Sequence, residues 1–165
     1  MPAGRPAYNT LMIQGLPPIS TKDARLLILG SMPSERSLKM RQYYAHPQNA
    51  FWKIMARILG EARSYREKTA LLKKNKIALW DVIKTCERKG SLDTAIKNPK
   101  YNDIESFLKK HPKIKRVLLN GGKAQASYIG YAKGKINLPY TRLPSTSPAN
   151  TMKFELKLKA WKKVL

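Results

Sequence analysis

The chain has 165 residues, of which 42% are apolar, so it is long enough for one domain with a real core, and it contains no apolar run long enough to span a membrane. Its 33 lysines and arginines face only 10 acidic residues, which gives a formal net charge of +23. Such a chain repels itself unless a polyanion neutralises it. Nucleic acid is the first expected partner, an anionic membrane surface the second, and a merely solubilising surface is the third interpretation.

The few metal-binding side chains are scattered along the sequence. Cys86 is the only cysteine, and His46 and His111 are far apart, each followed by a proline. One thiol forms no internal disulfide and cannot hold a zinc or iron–sulfur site alone. We therefore expect no metal and no cofactor, and we interpret Cys86 as a small buried hydrophobe. Residues 1–10 lack the layout of a signal peptide, which favours a soluble, intracellular protein.

Strand and helix patterns alternate along the chain. The predicted strands are short apolar runs, and they are residues 25–30, 77–82, 116–120 and 140–143. The predicted helices have apolar residues at helical spacing or a capping pair, and they are residues 50–59, 64–74, 102–110, 123–132 and 151–164. The capping pairs are Ser64 with Glu67 and Asn102 with Glu105.

This alternation predicts an α/β fold, a three-layer α/β/α sandwich around a short, mainly parallel four-stranded central sheet. We expect one domain over residues 1–165, with residues 1–20 loosely ordered. Ligands on such sheets bind at the carboxyl ends of the strands. Three polar segments follow predicted strands there, at 30–34, 120–122 and 143–150. Each alone is most simply a turn, but together they predict a site.

The residues of these segments resemble the motifs of a known enzyme family. Residues 30–34 (Gly-Ser-Met-Pro-Ser) and 43–52 (Tyr-Tyr-Ala-His-Pro-Gln-Asn-Ala-Phe-Trp) resemble the start of the uracil-DNA glycosylase superfamily, and residues 143–150 resemble its closing loop. Trp80-Asp81, Ser91-Leu-Asp93 and the segment 120–122 follow in the expected order. Within the superfamily, the residues of these motifs are most similar to those of the sixth family, the hypoxanthine-DNA glycosylases. The resemblance covers residues 25 to 150, most of the chain.

The resemblance implies a monofunctional DNA glycosylase. Such an enzyme flips a deaminated base, here hypoxanthine, out of double-stranded DNA and hydrolyses the N-glycosidic bond through an oxocarbenium-like transition state. We expect a monomer that binds no membrane. Three alternatives stay open: a preference for uracil, a non-catalytic nucleic-acid-binding domain of the same fold, and a nucleotide phosphate loop at 30–34. The last lacks both the Walker ending and the dinucleotide spacing.

The resemblance places catalysis at Asn49. An amide orients an attacking water but does not titrate, so positioning must supply most of the acceleration. Taken without the resemblance, Asn49 is better explained as the cap of a helix that begins at Ala50. Met32 stands where many members of the superfamily carry a catalytic Asp or Asn. A thioether orients water poorly, which argues against an efficient uracil enzyme.

Four further residues are candidates for binding the flipped base. The resemblance places Tyr44 where related enzymes stack an aromatic ring on the flipped base, although a core tyrosine is an equal alternative. Asp81 has a carboxylate that accepts from the N1–H of hypoxanthine or else anchors a loop. Asn120 and Ser31 complete the predicted base site. Ser91 and Asp93 are interpreted as residues that order a loop.

The closing loop is the predicted grip on DNA. Ser145 and Ser147 are expected to contact phosphate, and Asn150 or Thr151 to cap the last helix, whose free N–H groups suit an anion. Lys123, directly after a pair of glycines, is placed to meet another phosphate. The alternative for Lys123 is an ordinary solvated lysine.

Overall fold

The described part of this computed structural model, residues 12–165, contains the four strands and five helices that the sequence predicted, in the predicted order, together with three further strands and one further helix. The strands are β1 (Met12–Gln14), β2 (Leu26–Gly30), β3 (Ile77–Asp81), β4 (Ile83–Glu87), β5 (Lys97–Tyr101), β6 (Arg116–Asn120) and β7 (Tyr140–Leu143). The helices are α1 (Glu35–Met40), α2 (Phe51–Leu59), α3 (Tyr65–Lys74), α4 (Ile104–Lys110), α5 (Gly122–Ala132) and α6 (Phe154–Lys162). A turn of 3-10 helix lies at Asp93–Ala95.

Four parallel strands form the central sheet, in the order β3-β2-β6-β7. All five residues of β2 are buried, as expected for a strand that is covered on both faces. Alternate residues of the strands pack against α2, α3 and α6 on one face and against α4 and α5 on the other. The predicted three-layer α/β/α architecture is confirmed.

A second, three-stranded antiparallel sheet, in the order β1-β4-β5, was not predicted. Only Val82 separates β3 from β4, and three of the five residues of β4 are polar, so the sequence shows no separate apolar run for this strand. The edge strand β5 is polar and contains Pro99, a composition typical of a loop. Strand β1 has only three residues and pairs with β4.

Residues 12–20, expected to be loosely ordered, instead form β1 and a bridge to the central sheet. The backbone amide of Ile19 donates to the carbonyl of Leu79 at 2.9 Å, and the amide of Leu79 donates back at 2.9 Å. Residues 1–11, the rest of that prediction, lie outside the described residues.

Within residues 12–165, no helix is long and apolar enough to cross a membrane. In the same residues, no three His, Cys, Asp or Glu side chains are grouped so that they could hold a metal ion.

The starts of helices α4 and α6 differ from the prediction. Helix α4 is capped by Asp103, whose carboxylate accepts from the backbone amide of Ser106 at 3.1 Å. Asn102 is not the cap, because its buried side chain donates to the carbonyl oxygen of Asp81 at 2.8 Å. Helix α6 begins three residues later than predicted, at Phe154, and neither Asn150 nor Thr151 caps it. The prediction for α3 is confirmed, since the hydroxyl of Ser64 accepts from the amide of Glu67.

The hydrogen bonds of Asn102 and Asp103 should contribute differently to stability. Asn102→Ala removes the buried donor to the Asp81 carbonyl, so we expect the free energy of unfolding to fall by about 1–3 kcal/mol. Asp103→Ala removes only an exposed cap, which costs about 1 kcal/mol. Urea titrations of both variants measure the difference. A larger loss in Asp103→Ala than in Asn102→Ala would contradict this assignment.

Candidate active site

The polar segments of the sequence meet at the carboxyl end of the central sheet. Parallel pairing sets Gly30, the last residue of β2, beside Asp81, the last residue of β3. On the other side of β2, Asn120 at the end of β6 lies beside Leu143 at the end of β7. The segments that follow these strands therefore share one edge, where ligands of parallel sheets bind.

Asn120 connects three parts of this edge. Its buried side-chain amide donates to the hydroxyl of Tyr44 at 3.1 Å and to that of Thr146 at 3.0 Å. Its carbonyl oxygen accepts from the backbone amide of Thr146 at 3.0 Å. Thr146 is 1% exposed and was missed by the sequence interpretation, which favoured the two serines beside it. Both N–H groups of Asn120 are thus used within the protein.

Tyr44 is held in a strained conformation at the same place. Its φ of 52° lies in the left-handed region, which a non-glycine residue adopts at a cost and which is common at functional sites. Its ring stacks on Phe51, with centroids 4.2 Å apart and an interplanar angle of 28°. Burial raises the pKa of the Tyr44 hydroxyl, and the nearby Asp81 carboxyl raises it further. One face of the ring is therefore covered by protein.

Asp81 is a buried carboxyl without a complete set of partners. Its Oδ2 accepts no hydrogen bond from residues 12–165. Burial raises its pKa to about 7, Asp93 adds to the increase, and Arg88 opposes it. A Cβ atom on Gly30 would lie 2.5 Å from Asp81 Oδ1 and 2.8 Å from the hydroxyl oxygen of Tyr44, so only glycine fits between them. A buried carboxyl with an unused oxygen at this edge is a candidate for ligand binding.

Ser31 is tied to the loop that follows β4. Its hydroxyl donates to Asp93 Oδ1 at 2.8 Å, and the backbone amide of Glu35 donates to the hydroxyl of Ser91 at 3.0 Å. The guanidinium of Arg88 donates to the carbonyl of Pro33 from the same side. Ser91 and Asp93 therefore order the segment after β2, and the proton of the Ser31 hydroxyl is already committed.

Met32 points away from this polar cluster. Its side chain is 7% exposed and packs with Ile83 and Cys86 in a small apolar cluster against the three-stranded sheet. Cys86 is fully buried there, as its interpretation as a hydrophobe requires. A side chain at position 32 thus belongs to a core, not to the edge that carries Asp81.

Asn49 stands at the start of α2, next to the closing loop. Its side-chain oxygen accepts a hydrogen bond from the backbone amide of Phe51 at 2.9 Å. This bond gives a partner to the N–H of the first residue of α2. The helix begins at Phe51, one residue later than predicted, and the residue at the cap position is Ala50. The amide of Ala50 donates to the carbonyl of Thr146 at 2.9 Å, which joins this turn to the closing loop. Asn49 has the local contact expected of a cap and is half-buried at the site.

The closing loop consists of two consecutive serine turns. The hydroxyl of Ser145 accepts from the amide of Ser147, and the hydroxyl of Ser147 accepts from the amide of Ala149, each at 3.2 Å. Each hydroxyl therefore keeps its own proton to donate. Gly121 has a φ of 93°, and a Cβ there would lie 2.8 Å from the Cβ of Ser145, so the glycine permits the loop to approach.

Asn150 and Lys123, two of the predicted DNA-binding residues, lie in different parts of the site. The side-chain amide of Asn150 donates to the carbonyl of Ser145 at 3.0 Å, and its oxygen accepts from the amide of Met152 at 3.2 Å. Asn150 thus braces the loop from within. Lys123 is half-buried in the first turn of α5, directly after the glycine pair that meets the loop.

The fold is that of an α/β protein, and this cluster is a candidate ligand site at the carboxyl edge of its parallel sheet. Residues 17–165 match the family model of the Uracil DNA glycosylase superfamily. The chain belongs to the uracil DNA glycosylase superfamily.

Two named glycosylases and one solved structure are similar to this chain. A hypoxanthine DNA glycosylase of Methanosarcina barkeri (strain Fusaro / DSM 804) is 41% identical over 114 residues, which cover 67% of this chain and 72% of the relative. One from Methanosarcina acetivorans is 36% identical over 140 residues, which cover 83% and 87%. The solution NMR structure of a candidate uracil DNA glycosylase from Methanosarcina acetivorans superposes with a TM-score of 0.82 at 34% identity, and the match covers 93% of this chain and 96% of that one.

The raised pKa of Asp81 predicts a pH-dependent stability. Because the pKa in the folded protein, about 7, lies above the ordinary value of 3.8, the folded state binds this proton more tightly than the unfolded chain. The free energy of unfolding of the wild type should fall, relative to that of Asp81→Asn, as the pH rises from about 4 to about 7. Denaturant titrations between pH 4 and pH 8 measure the two curves. Parallel curves would show that the carboxyl is not perturbed.

Proposed function

We propose that this protein is a monofunctional DNA glycosylase that removes hypoxanthine from double-stranded DNA by hydrolysis of the N-glycosidic bond. The observation that best supports this is the convergence of Asp81, Tyr44 and Asn120 at the sheet edge, beneath a loop with two free hydroxyl protons. Two relatives that share 41% and 36% of their aligned residues carry the name hypoxanthine DNA glycosylase. We further propose that the protein acts as an intracellular monomer.

The base would be read by Asp81 and Tyr44. An enzyme of this kind first flips the damaged nucleotide out of the duplex. The uncommitted oxygen of Asp81 can accept the N1–H of hypoxanthine, and a pKa of about 7 leaves a substantial carboxylate fraction at neutral pH. The ring face of Tyr44 opposite Phe51 is the surface for base stacking, worth about 1–3 kcal/mol. Ser31, fixed by Asp93, supplies hydroxyl lone pairs nearby.

The water would be positioned by Asn49. Departure of the base leaves an oxocarbenium-like sugar, which a held water attacks. The side-chain oxygen of Asn49 already accepts one N–H from Phe51, and its second lone pair can accept from water. The helix contact then serves catalysis as well, because it removes rotational freedom from the amide. Capping and catalysis are compatible in this geometry.

The closing loop and Lys123 would hold the strand beside the flipped nucleotide. The hydroxyls of Ser145 and Ser147 accept from backbone amides, which leaves their protons for phosphate oxygens. Lys123 adds a positive charge on the α5 side of the loop. We assign Asn150 to this grip through the loop that it braces.

The decisive variant is Asn49→Ala, assayed on duplexes that each carry one hypoxanthine, uracil or xanthine. Hypoxanthine release by the wild type should be the fastest, and Asn49→Ala should slow its single-turnover rate about 100-fold or more while it still binds the duplex. A residue that only caps α2 would instead cost about 1 kcal/mol of stability and leave a nearly normal rate.

Met32→Leu is the matched control, because it keeps the volume of a buried side chain outside the polar cluster. It should excise hypoxanthine at close to the wild-type rate. A wild-type protein that binds DNA but releases none of the three bases would identify a non-catalytic binding domain. Faster release of uracil than of hypoxanthine would assign the protein to the uracil-preferring alternative.

A further inference from the structure

A second polar concavity lies beside the closing loop. It is a groove of about 350 Å³ between the start of α2 and residues 148–157, which we term the α2–loop groove. Its polar lining consists of Gln48, Lys53, Asn150, Thr151 and Lys157. Two of these side chains are cations, and no acidic residue lines the groove. The base site described above does not use it.

Lys157 is the unusual member of this lining. It is 4% exposed, and its ammonium donates to the carbonyls of Ser147 at 3.2 Å and Asn150 at 2.8 Å. Two of its three N–H groups are thus used on the closing loop, and among the ion pairs of residues 12–165 it has no carboxylate partner. Burial lowers its pKa, because a buried ammonium loses hydration. Buried charges in proteins are normally paired, which makes the ammonium of Lys157 a candidate to bind an anion.

The surrounding charges favour an external anion over an internal one. Lys53 is exposed on α2, on the wall of the same groove. The nearest acidic residue along α6, Glu155, lies 3.9 Å from Arg57 and is thereby engaged outside the groove. Gln48 and Thr151 add uncharged donors. Two cations and two neutral donors, without a carboxylate, form a suitable environment for a phosphate group.

We propose that the α2–loop groove binds a phosphate group of the DNA backbone between the ammonium of Lys157 and that of Lys53. The proposal rests on the proposed function, because the closing loop that carries Ser145 and Ser147 also forms one side of this groove. In this proposal, a strand that is gripped by those hydroxyls runs on past Asn150 and Thr151. The groove is therefore a second anchoring point for the same strand, separate from the base site.

The salt dependence of duplex binding tests this. Each phosphate contact contributes about 0.9 to the slope of log affinity on log salt, which makes one contact worth about fivefold in affinity at about 0.15 M salt. Lys53→Gln should make the slope shallower by about one unit and weaken binding about fivefold. Lys157→Met, which keeps the apolar volume, should do the same. Lys115→Gln is the matched control, since this exposed lysine precedes β6 at the opposite end of the sheet.

The outcomes separate the groove from the proposed function. If Lys53→Gln and Lys157→Met change the slope no more than Lys115→Gln does, the phosphate site is refuted, whatever the enzyme excises. Should Lys157→Met fail to fold, Lys53→Gln alone decides, because its exposed side chain makes no contact that the fold requires. Base release should remain normal in the control Lys115→Gln, whose exposed side chain lies outside both sites. A wild type that releases no base would overturn the glycosylase proposal without altering the result for the slope.

Discussion

The side-chain amide of Asn120 is the contact on which the geometry of the edge depends. It comes from β6, yet its three hydrogen bonds reach Tyr44, far earlier in the chain, and Thr146 in the closing loop. In a buried environment each of these bonds is strong, and a lost partner leaves a costly unsatisfied group. The closing loop and the ring of Tyr44 are therefore held in place by one residue. The glycines at 30 and 121 permit this, since a Cβ at either position would meet a neighbour within 3 Å.

Two buried charges of opposite sign lie near this network, and each lacks a counter-ion among residues 12–165. Asp81 keeps an unbonded carboxylate oxygen where the base would lie, and Lys157 keeps an unpaired ammonium beneath the closing loop. Either charge reduces stability in the free protein, because burial removes its hydration. A ligand with an N–H donor at one point and a phosphate at the other would satisfy both. A damaged nucleotide within a strand is such a ligand, so the two irregularities support one function.

The sequence predicted the central sheet well, because strands covered on both faces are continuous apolar runs, as in Leu26–Gly30. It did not predict β5, whose residues are polar and include a proline that only an edge strand accommodates. Asn102 and Asp103 are both good caps by type, and only the packing of Asn102 against β3 decides between them. Lys157 could not be distinguished among 33 basic residues, because its burial arises from the turn that precedes α6. Thr146 was overlooked for a similar reason, since a threonine between serines carries no separate signal.

The position of Met32 explains why the proposed chemistry is assigned to the other side of the edge. Its side chain fills the apolar cluster of the three-stranded sheet, so a polar residue at 32 would lose hydration there and could not reach the carboxyl of Asp81 without repacking. The turn at Asn49, in contrast, is joined to the closing loop by the hydrogen bond between Ala50 and Thr146, and its amide is held by the first N–H of α2. Thr146 is in turn held by Asn120, so the turn at Asn49 and the closing loop are parts of one hydrogen-bonded network. A water-positioning group that cannot titrate depends entirely on such rigidity, because it contributes orientation alone. The small second sheet, absent from the sequence prediction, therefore bears on the proposed mechanism. It holds the side chain of residue 32 away from the polar cluster, which is why we propose Asn49 as the residue that positions water.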